Sequence, residues 1–241
     1  ETGVDLANDL ERIAANIGPE NIAACIVEPI AGSTGTLVPP KGYLQRLRDI
    51  CDKHGILLIF DEVITGWGRT GSPFASQAFG VTPDIMTMAK AVTNGVVPLG
   101  AVASRENIYD TVLDASPMGA VEFFHGYTYS AIPVSMAAGL AMQNIIEKEN
   151  LFQRSKDMSP YFLDGLFSLK DIDVITDIRG YGMMGGIDIH LDERPGKAGY
   201  ACFKKLFEAG LSLKATGDCL IVAPPFVCET EHIDEIIEKL R

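Results

Sequence analysis

Apolar positions along the chain fall into short continuous runs that alternate with helical spacing. Leu6, Leu10, Ile13 and Ile17 recur at helical intervals and predict a crossover helix at the start. "IAACIVEPI" then forms a β-branched apolar run ending at Glu28-Pro29, the pattern of a parallel strand buried on both faces. A loop rich in Gly, Ser and Pro follows, then a helix over "KGYLQRLRDICDKHG". That helix turns Leu44, Leu47 and Cys51 inward and stops at Gly55. The strand "ILLIF" comes next. A loop and a short helix lead to the apolar run "DIMTMAKAV" and then to "LGAVAS". Strand, helix and strand in alternation predict an α/β fold, a doubly wound and mostly parallel sheet.

The texture changes near residue 131. "AIPVSMAAGLAMQNIIEKEN" predicts a long helix with Pro133 in its first turn, and "LFQRSKDMSPYFLDGLFSL" continues as helix. Short strands over "DVITDIRGYGMMGGIDIHL", a helix over "KAGYACFKKLFEAG", more strand over "LSLKATGDCLIVAPP" and a final amphipathic helix over "TEHIDEIIEKLR" complete a smaller α+β unit. The expected division is a first domain over 1–150 and a second over 151–241.

Composition narrows the function. The 241 residues are 47% hydrophobic and 22% charged, with a formal net charge of −12. This is a globular composition without the basic footprint of a nucleic-acid binder. No apolar run approaches the ~18 residues of a membrane span. The chain opens acidic, unlike a signal peptide. The five cysteines are scattered without C-x-x-C spacing, and four lie in apolar or helical patterns. They read as small core residues of a protein in the reducing cytoplasm, neither a disulfide framework nor a zinc site. His54, His125, His190 and His232 have no metal-ligand spacing, so no metal is expected.

Three polar residues stand where apolar strands are expected to end: Glu28, Asp61 and Lys90. In open α/β sheets ligands bind at the carboxyl ends of strands. The 29 residues separating Asp61 from Lys90 correspond to about one strand–helix–strand unit. A carboxylate at the end of "ILLIF" is costly unless a cation or strong donors meet it. Two readings answer that demand. Four apolar residues before Asp-Glu also describe the magnesium-binding strand of P-loop ATPases, although no G-x-x-x-x-G-K-[ST] string occurs in the chain. Alternatively, pyridoxal phosphate needs a lysine for its aldehyde and an acid for its ring nitrogen. The apolar flanks of "TMAKAVTNG" are expected to keep Lys90 from water, which would make its amine a usable nucleophile.

"FDEVITGWGRTG", "PDIMTMAKAVTNGVVPLGAV" and "VEFFHGYTYSAIPVSMAAGLA", in that order, closely resemble the class III, fold-type I aminotransferases, in particular the omega-amino acid–pyruvate (beta-alanine–pyruvate) branch. The resemblance runs nearly end to end. It implies that Lys90 holds pyridoxal 5'-phosphate through its aldehyde and then shuttles the proton. It implies that Asp61 pairs with the pyridinium nitrogen and Val63 packs on the ring face. Thr128 would bind the cofactor phosphate of the neighbouring subunit, which implies a homodimer, or a dimer of dimers. The implied reaction transfers an amino group from an omega-amino acid or amine to a keto acid, pyruvate in this branch.

Family members are longer at the N-terminus, so the chain is expected to be the C-terminal part of such an enzyme. By itself it is expected to bind cofactor poorly, to be inactive and to associate. One departure stands out. The branch carries an arginine before the "GD" turn to grip a substrate carboxylate, and here Lys214 occupies that place. A lysine is a point charge where arginine is a bidentate fork. Lys214 is expected to pair with a substrate carboxylate, or with Glu28 when no substrate is present, and less selectively than arginine.

Overall fold

The structure is a computed structural model describing residues 2–117, 125–191 and 194–241. Val121–Phe124, the opening of the third motif, lie outside the described residues. The chain forms two compact units. One gathers residues 1–27, 41–64 and 81–145, and the other 28–40, 65–80 and 146–241.

The first unit is built on a four-stranded sheet in the order β1 (Ala24–Val27), β2 (Leu57–Asp61), β3 (Ile85–Met88) and β4 (Ala101–Ser104). The first three strands are parallel and β4 runs antiparallel to β3. The fold is therefore α/β with a mostly parallel sheet. Phe60, Leu58 and Ile56 are fully or almost fully buried, while Leu57 and Ile59 between them are half-buried. β1 departs from expectation. Its residues alternate between exposed and half-buried, and Ile26 is 61% exposed. The run is apolar enough for a two-faced strand, yet among the described residues β1 pairs with β2 alone and forms the sheet edge.

Helix α2 (Tyr43–His54) buries Leu44, Leu47, Ile50 and Cys51 and ends at Gly55 in the left-handed region, φ 67°. Glycine takes that conformation without a Cβ penalty. Helix α1 (Gly3–Ile17) packs on α2 and buries its small residues, not its Leu/Ile stripe. Gly3, Ala7 and Ala14 are buried, while Leu6, Ile13 and Ile17 are half or more exposed. Small residues allow the two backbones to approach closely, and Glu11 then reaches Lys53 and His54 on α2 at 2.6 and 2.8 Å. Periodicity gave the helix; it did not indicate which face would dock. A helix absent from the sequence reading, α4 (Glu106–Asp114), follows β4 and buries none of its residues.

A buried ionic cluster fixes the β2–β3 register at the end remote from Asp61. The Asp84 carboxylate accepts the Leu58 N–H at 2.7 Å and Arg48 Nη1 at 2.8 Å, and Arg105 lies at 3.2 Å. Asp84 and Arg48 are both buried. Arg48 also reaches Asp52 at 2.7 Å. One carboxylate thereby ties α2, β2 and the segment entering β3.

The second unit holds a four-stranded antiparallel sheet, in order β5 (Ile175–Tyr181), β6 (Met184–Ile189), β8 (Cys219–Val222) and β7 (Lys214–Thr216). Helices α6 (Leu151–Phe167), α7 (Ala198–Glu208) and α8 (Thr230–Leu240) accompany it. Phe162, Leu166, Leu169, Met183, Ile187, Leu220 and Ile233 form its core. The short helix α3 (Ala75–Phe79) belongs here too. The β5–β6 hairpin turns at Gly182, φ 60°, where an added Cβ would lie 2.5 Å from the Arg69 carbonyl oxygen. Arg69 donates to the Met183 and Pro224 carbonyls at 2.8 and 2.7 Å and stacks on Phe226. Burial lowers its pKa to about 10. Arg69 is thus a clamp of this unit.

Thr36, also in this unit, is fully buried at φ 57° with an unpartnered hydroxyl. A buried hydroxyl without a partner is destabilising. Thr36→Val, which keeps the shape and removes the polar atom, is expected to raise stability by about 1 kcal/mol. A thermal melt showing a lower midpoint would contradict this.

Candidate active site

The sheet register brings two of the three strand-end residues together. Asp61, the last residue of β2, lies opposite Thr87 of β3. Lys90 follows two residues after β3 ends at Met88. The acid and the amine therefore stand at the carboxyl ends of adjacent parallel strands, where such sheets bind ligands. Glu62 donates its N–H to the Thr87 carbonyl at 3.0 Å, extending the pairing one residue beyond the strand.

Asp61 is half-buried. Its Oδ1 accepts the N–H of Val63 at 3.0 Å, an Asx-type turn that ends the strand. Its Oδ2 takes no hydrogen bond from a described residue. This carboxylate is half satisfied by its own backbone. Val63 is half-buried beside it. The fully buried acid at this strand end is Glu62, at 0% exposure, a residue the sequence reading passed over. Two adjacent acids point to opposite faces of an extended chain. An apolar run gives no sign of which face is closed.

Lys90 opens a short 3₁₀ turn, Lys90–Val92, at φ 52°. A left-handed backbone at a residue with a long side chain is strained and persists only where its surroundings impose it. The side chain is exposed, against the expectation that apolar flanks would keep it from water. The reason is geometric: Lys90 lies beyond the strand and lines an open cleft of about 1040 Å³. Val97, Pro98, Tyr127, Tyr129 and Ser130 also line that cleft. Thr128 sits between the two tyrosines, in an exposed turn within the same unit. The tyrosines were part of the quoted "HGYTYS" string, and their exposure, 80% each, is what draws notice to them.

Glu28 and Lys214 belong to the second unit, and both attach to its 28–40 loop. Glu28 Oε2 accepts the Gly32 N–H at 3.0 Å, and Lys214 Nζ lies 3.4 Å from the Ser33 carbonyl oxygen. The loop is fastened by Arg179, whose Nε donates to the Gly35 carbonyl at 2.7 Å. Arg179 also forms a two-pronged pair with Asp188 at 2.7 and 2.8 Å. No Lys214–Glu28 ion pair forms among the described residues: each side chain is engaged by the loop backbone instead. Lys214 is exposed at the start of β7. No group of His, Cys, Asp and Glu among the described residues is arranged to hold a metal ion. All five cysteines are free.

The acid and the lysine stand at neighbouring strand ends, the place where open α/β sheets bind ligands. The family described as Aminotransferase class-III matches residues 4–241, and the chain belongs to that family. It is 50% identical to the omega-aminotransferase of Caulobacter vibrioides, with 100% of this chain and 55% of that protein covered. It is 49% identical to the beta-alanine–pyruvate aminotransferase of Pseudomonas aeruginosa, with 99% and 54% covered. Among solved structures, a thermostable omega transaminase from Pseudomonas jessenii superposes with a TM-score of 0.93 at 33% identity, over 99% of this chain and 55% of that one. The chain spans about half the length of the curated relatives it matches.

Proposed function

We propose that this chain is the lysine-bearing part of a pyridoxal-phosphate-dependent transaminase that moves an amino group from an omega-amino acid or amine to pyruvate. The observation that carries the reading is the β2–β3 register, with Asp61 and Lys90 at adjacent strand ends and Lys90 in a strained backbone. Relatives named for omega-amino acids, beta-alanine and pyruvate support the substrate class. The ATPase alternative has no support among the relatives.

The residues fit the cofactor. Asp61 has one oxygen engaged by Val63 and one open to a ring N–H, and Lys90 presents an exposed amine to a cleft. Asp61 would hold the ring nitrogen protonated, Val63 would cover a ring face and Lys90 would hold the aldehyde end. When bound, the protonated ring supplies a sink for the electron pair released at the substrate carbon that bears the amino group. Lys90 Nζ would take the proton from that carbon in the donor half of the reaction and, in the acceptor half, would supply one to the carbon of the keto acid that gains the amino group. Thr128 would serve the phosphate of a second copy, which makes a homodimer or dimer of dimers the working assembly. The division into a large cofactor domain over 1–150 and a small domain over 151–241 belongs to the same proposal, with loops 28–40 and 65–80 contributed to the second unit. No helix among the described residues is long and apolar enough to cross a membrane, and we assign the enzyme to the cytoplasm.

Lys214 and Glu28 are proposed to face substrate, with Lys214 leaving the Ser33 carbonyl for a substrate carboxylate. A charged hydrogen bond of that kind is worth about 1.5–3 kcal/mol, so Lys214→Ala is expected to raise KM for pyruvate roughly tenfold or more. The half-reaction with a donor amine that lacks a carboxylate should be unaffected. An untouched pyruvate half-reaction, followed in single turnovers, would remove Lys214 from the site. The reading as a whole is tested by expressing the full reading frame, adding pyridoxal phosphate, and following the visible cofactor band and alanine formation from pyruvate. A protein that neither binds the cofactor nor forms alanine would overturn it.

A further inference from the structure

Two buried hydroxyls lie against the loop that follows Lys90. Thr93 is 4% exposed and its Oγ1 donates to the Val97 carbonyl at 2.7 Å. Ser135 is 2% exposed and its Oγ donates to the next carbonyl, Pro98, at 2.9 Å. Thr93 also closes the 3₁₀ turn itself, its N–H donating to the Lys90 carbonyl at 3.3 Å, and its own carbonyl accepts the Val96 N–H at 3.2 Å. Between these ties the backbone is left-handed at Lys90, Asn94 and Gly95.

Ser135 lies in the first turn of helix α5 (Pro133–Lys148), directly after the turn that carries Thr128. One helical turn later, the missing side chain of Gly139 lets α5 sit on the same loop. A Cβ at that glycine would lie 3.1 Å from Leu99 Cδ2 and 3.8 Å from the Val92 carbonyl oxygen. Serine and glycine four residues apart share one face of the helix. That face, together with Thr93, grips the lysine loop at consecutive carbonyls in a water-poor setting, where such bonds hold firmly.

We propose that Thr93 and Ser135 are positioning residues for Lys90. They impose the strained backbone that aims its amine, and they link the lysine turn to the Thr128 turn through α5. The inference rests on the transaminase reading above and adds to it the groups that set the lysine in place. A loop gripped only at Lys90 would relax toward an ordinary backbone, and the amine would move with it. A displacement on the order of 1 Å at a reacting group costs about 100-fold in rate.

The test uses the full-length protein with Thr93→Val, Ser135→Ala and both together, beside Thr93→Ser and Lys90→Ala. In cofactor-free protein, pyridoxal is offered as a free aldehyde. Amine and aldehyde condense with loss of water, borohydride fixes the adduct, and peptide mass spectrometry measures capture at Lys90 relative to other lysines. In the cofactor-loaded protein, kcat, KM and the pH midpoint of the visible band are measured. Thr93→Val and Ser135→Ala are each expected to lower selective capture and to reduce kcat about tenfold, with less change in KM, and to move the pH midpoint. Thr93→Ser should restore all three. Unchanged capture, kcat and pH midpoint in the folded double variant would overturn the proposal. If the double variant does not fold, the same result in Ser135→Ala alone would do so. If instead Lys90→Ala kept the visible band and activity, the transaminase reading would be at fault.

Discussion

Lys90→Ala in the full-length protein is expected to abolish the visible band of the bound cofactor's aldehyde linkage and to lower kcat/KM by at least ~10³-fold. Two losses combine in this one change. The amine that would anchor the aldehyde end is removed, and so is the only base in the proposed mechanism that moves the substrate proton. Lys90→Arg should fail almost as badly, because a guanidinium remains protonated and cannot act as a nucleophile. A soluble primary amine of small size should restore part of the rate to Lys90→Ala, since the cleft beside Lys90 is open and wide, about 1040 Å³. Activity is measured as alanine formed from pyruvate and an omega-amino acid, and the band by absorbance. A Lys90→Ala protein within threefold of the parent rate would end the assignment of Lys90 as the catalytic amine.

Asp84→Ala carries the largest expected effect on stability. The change leaves Arg48 buried without its main partner and the Leu58 N–H without an acceptor. Breaking one side of a buried ion pair costs about 3–5 kcal/mol, which a denaturant or thermal melt would read directly. The same carboxylate sets an acid limit. Burial pushes its pKa up, but the Leu58 N–H and the Arg48 guanidinium outweigh burial and hold it below the ordinary carboxylate value. Its folded pKa lies below its unfolded one, so its stabilisation is complete above the unfolded pKa, about 3.9. That contribution is lost as pH falls through the lower folded value. Asp84→Ala should therefore be destabilised most at neutral pH and least in strong acid. Equal losses at pH 7 and well below pH 4 would contradict the role given to Asp84. Because this cluster pins the β2–β3 register, the variant should also weaken cofactor binding at the other end of the same two strands.

Much of the fold was legible in order and type. The helix over α2 announced itself through Leu44, Leu47 and Cys51 and a terminal glycine. The strands of the second sheet followed from short apolar runs, and the last helix from its amphipathic spacing. Asp61 and Lys90 were legible as candidate residues because they interrupt apolar runs, where a charge needs a reason. The neighbours that steady them were less so. Thr93 and Ser135 are small hydroxyl residues of unremarkable spacing, and only their burial against the Val97 and Pro98 carbonyls gives them meaning. The Leu/Ile spacing of α1 announced a helix without saying which of its faces would dock. Close approach to α2 favoured the alanines.

The sequence by itself determined the alternation of strands and helices, the α/β class and the residue types at the strand ends. Those follow from local periodicity and from the cost of placing a charge beside apolar side chains. The tertiary structure alone decided which strands pair and in what register, that Asp61 spends one oxygen on Val63, and that Lys90 is held left-handed at the mouth of a cleft. It also decided that Lys214 and Glu28 rest on one loop and not on each other. Strand pairing and the Lys214–Ser33 contact join residues tens of positions apart and depend on how whole elements pack, while the Asp61–Val63 and Glu28–Gly32 bonds are local but use one of several partners that the pattern leaves open.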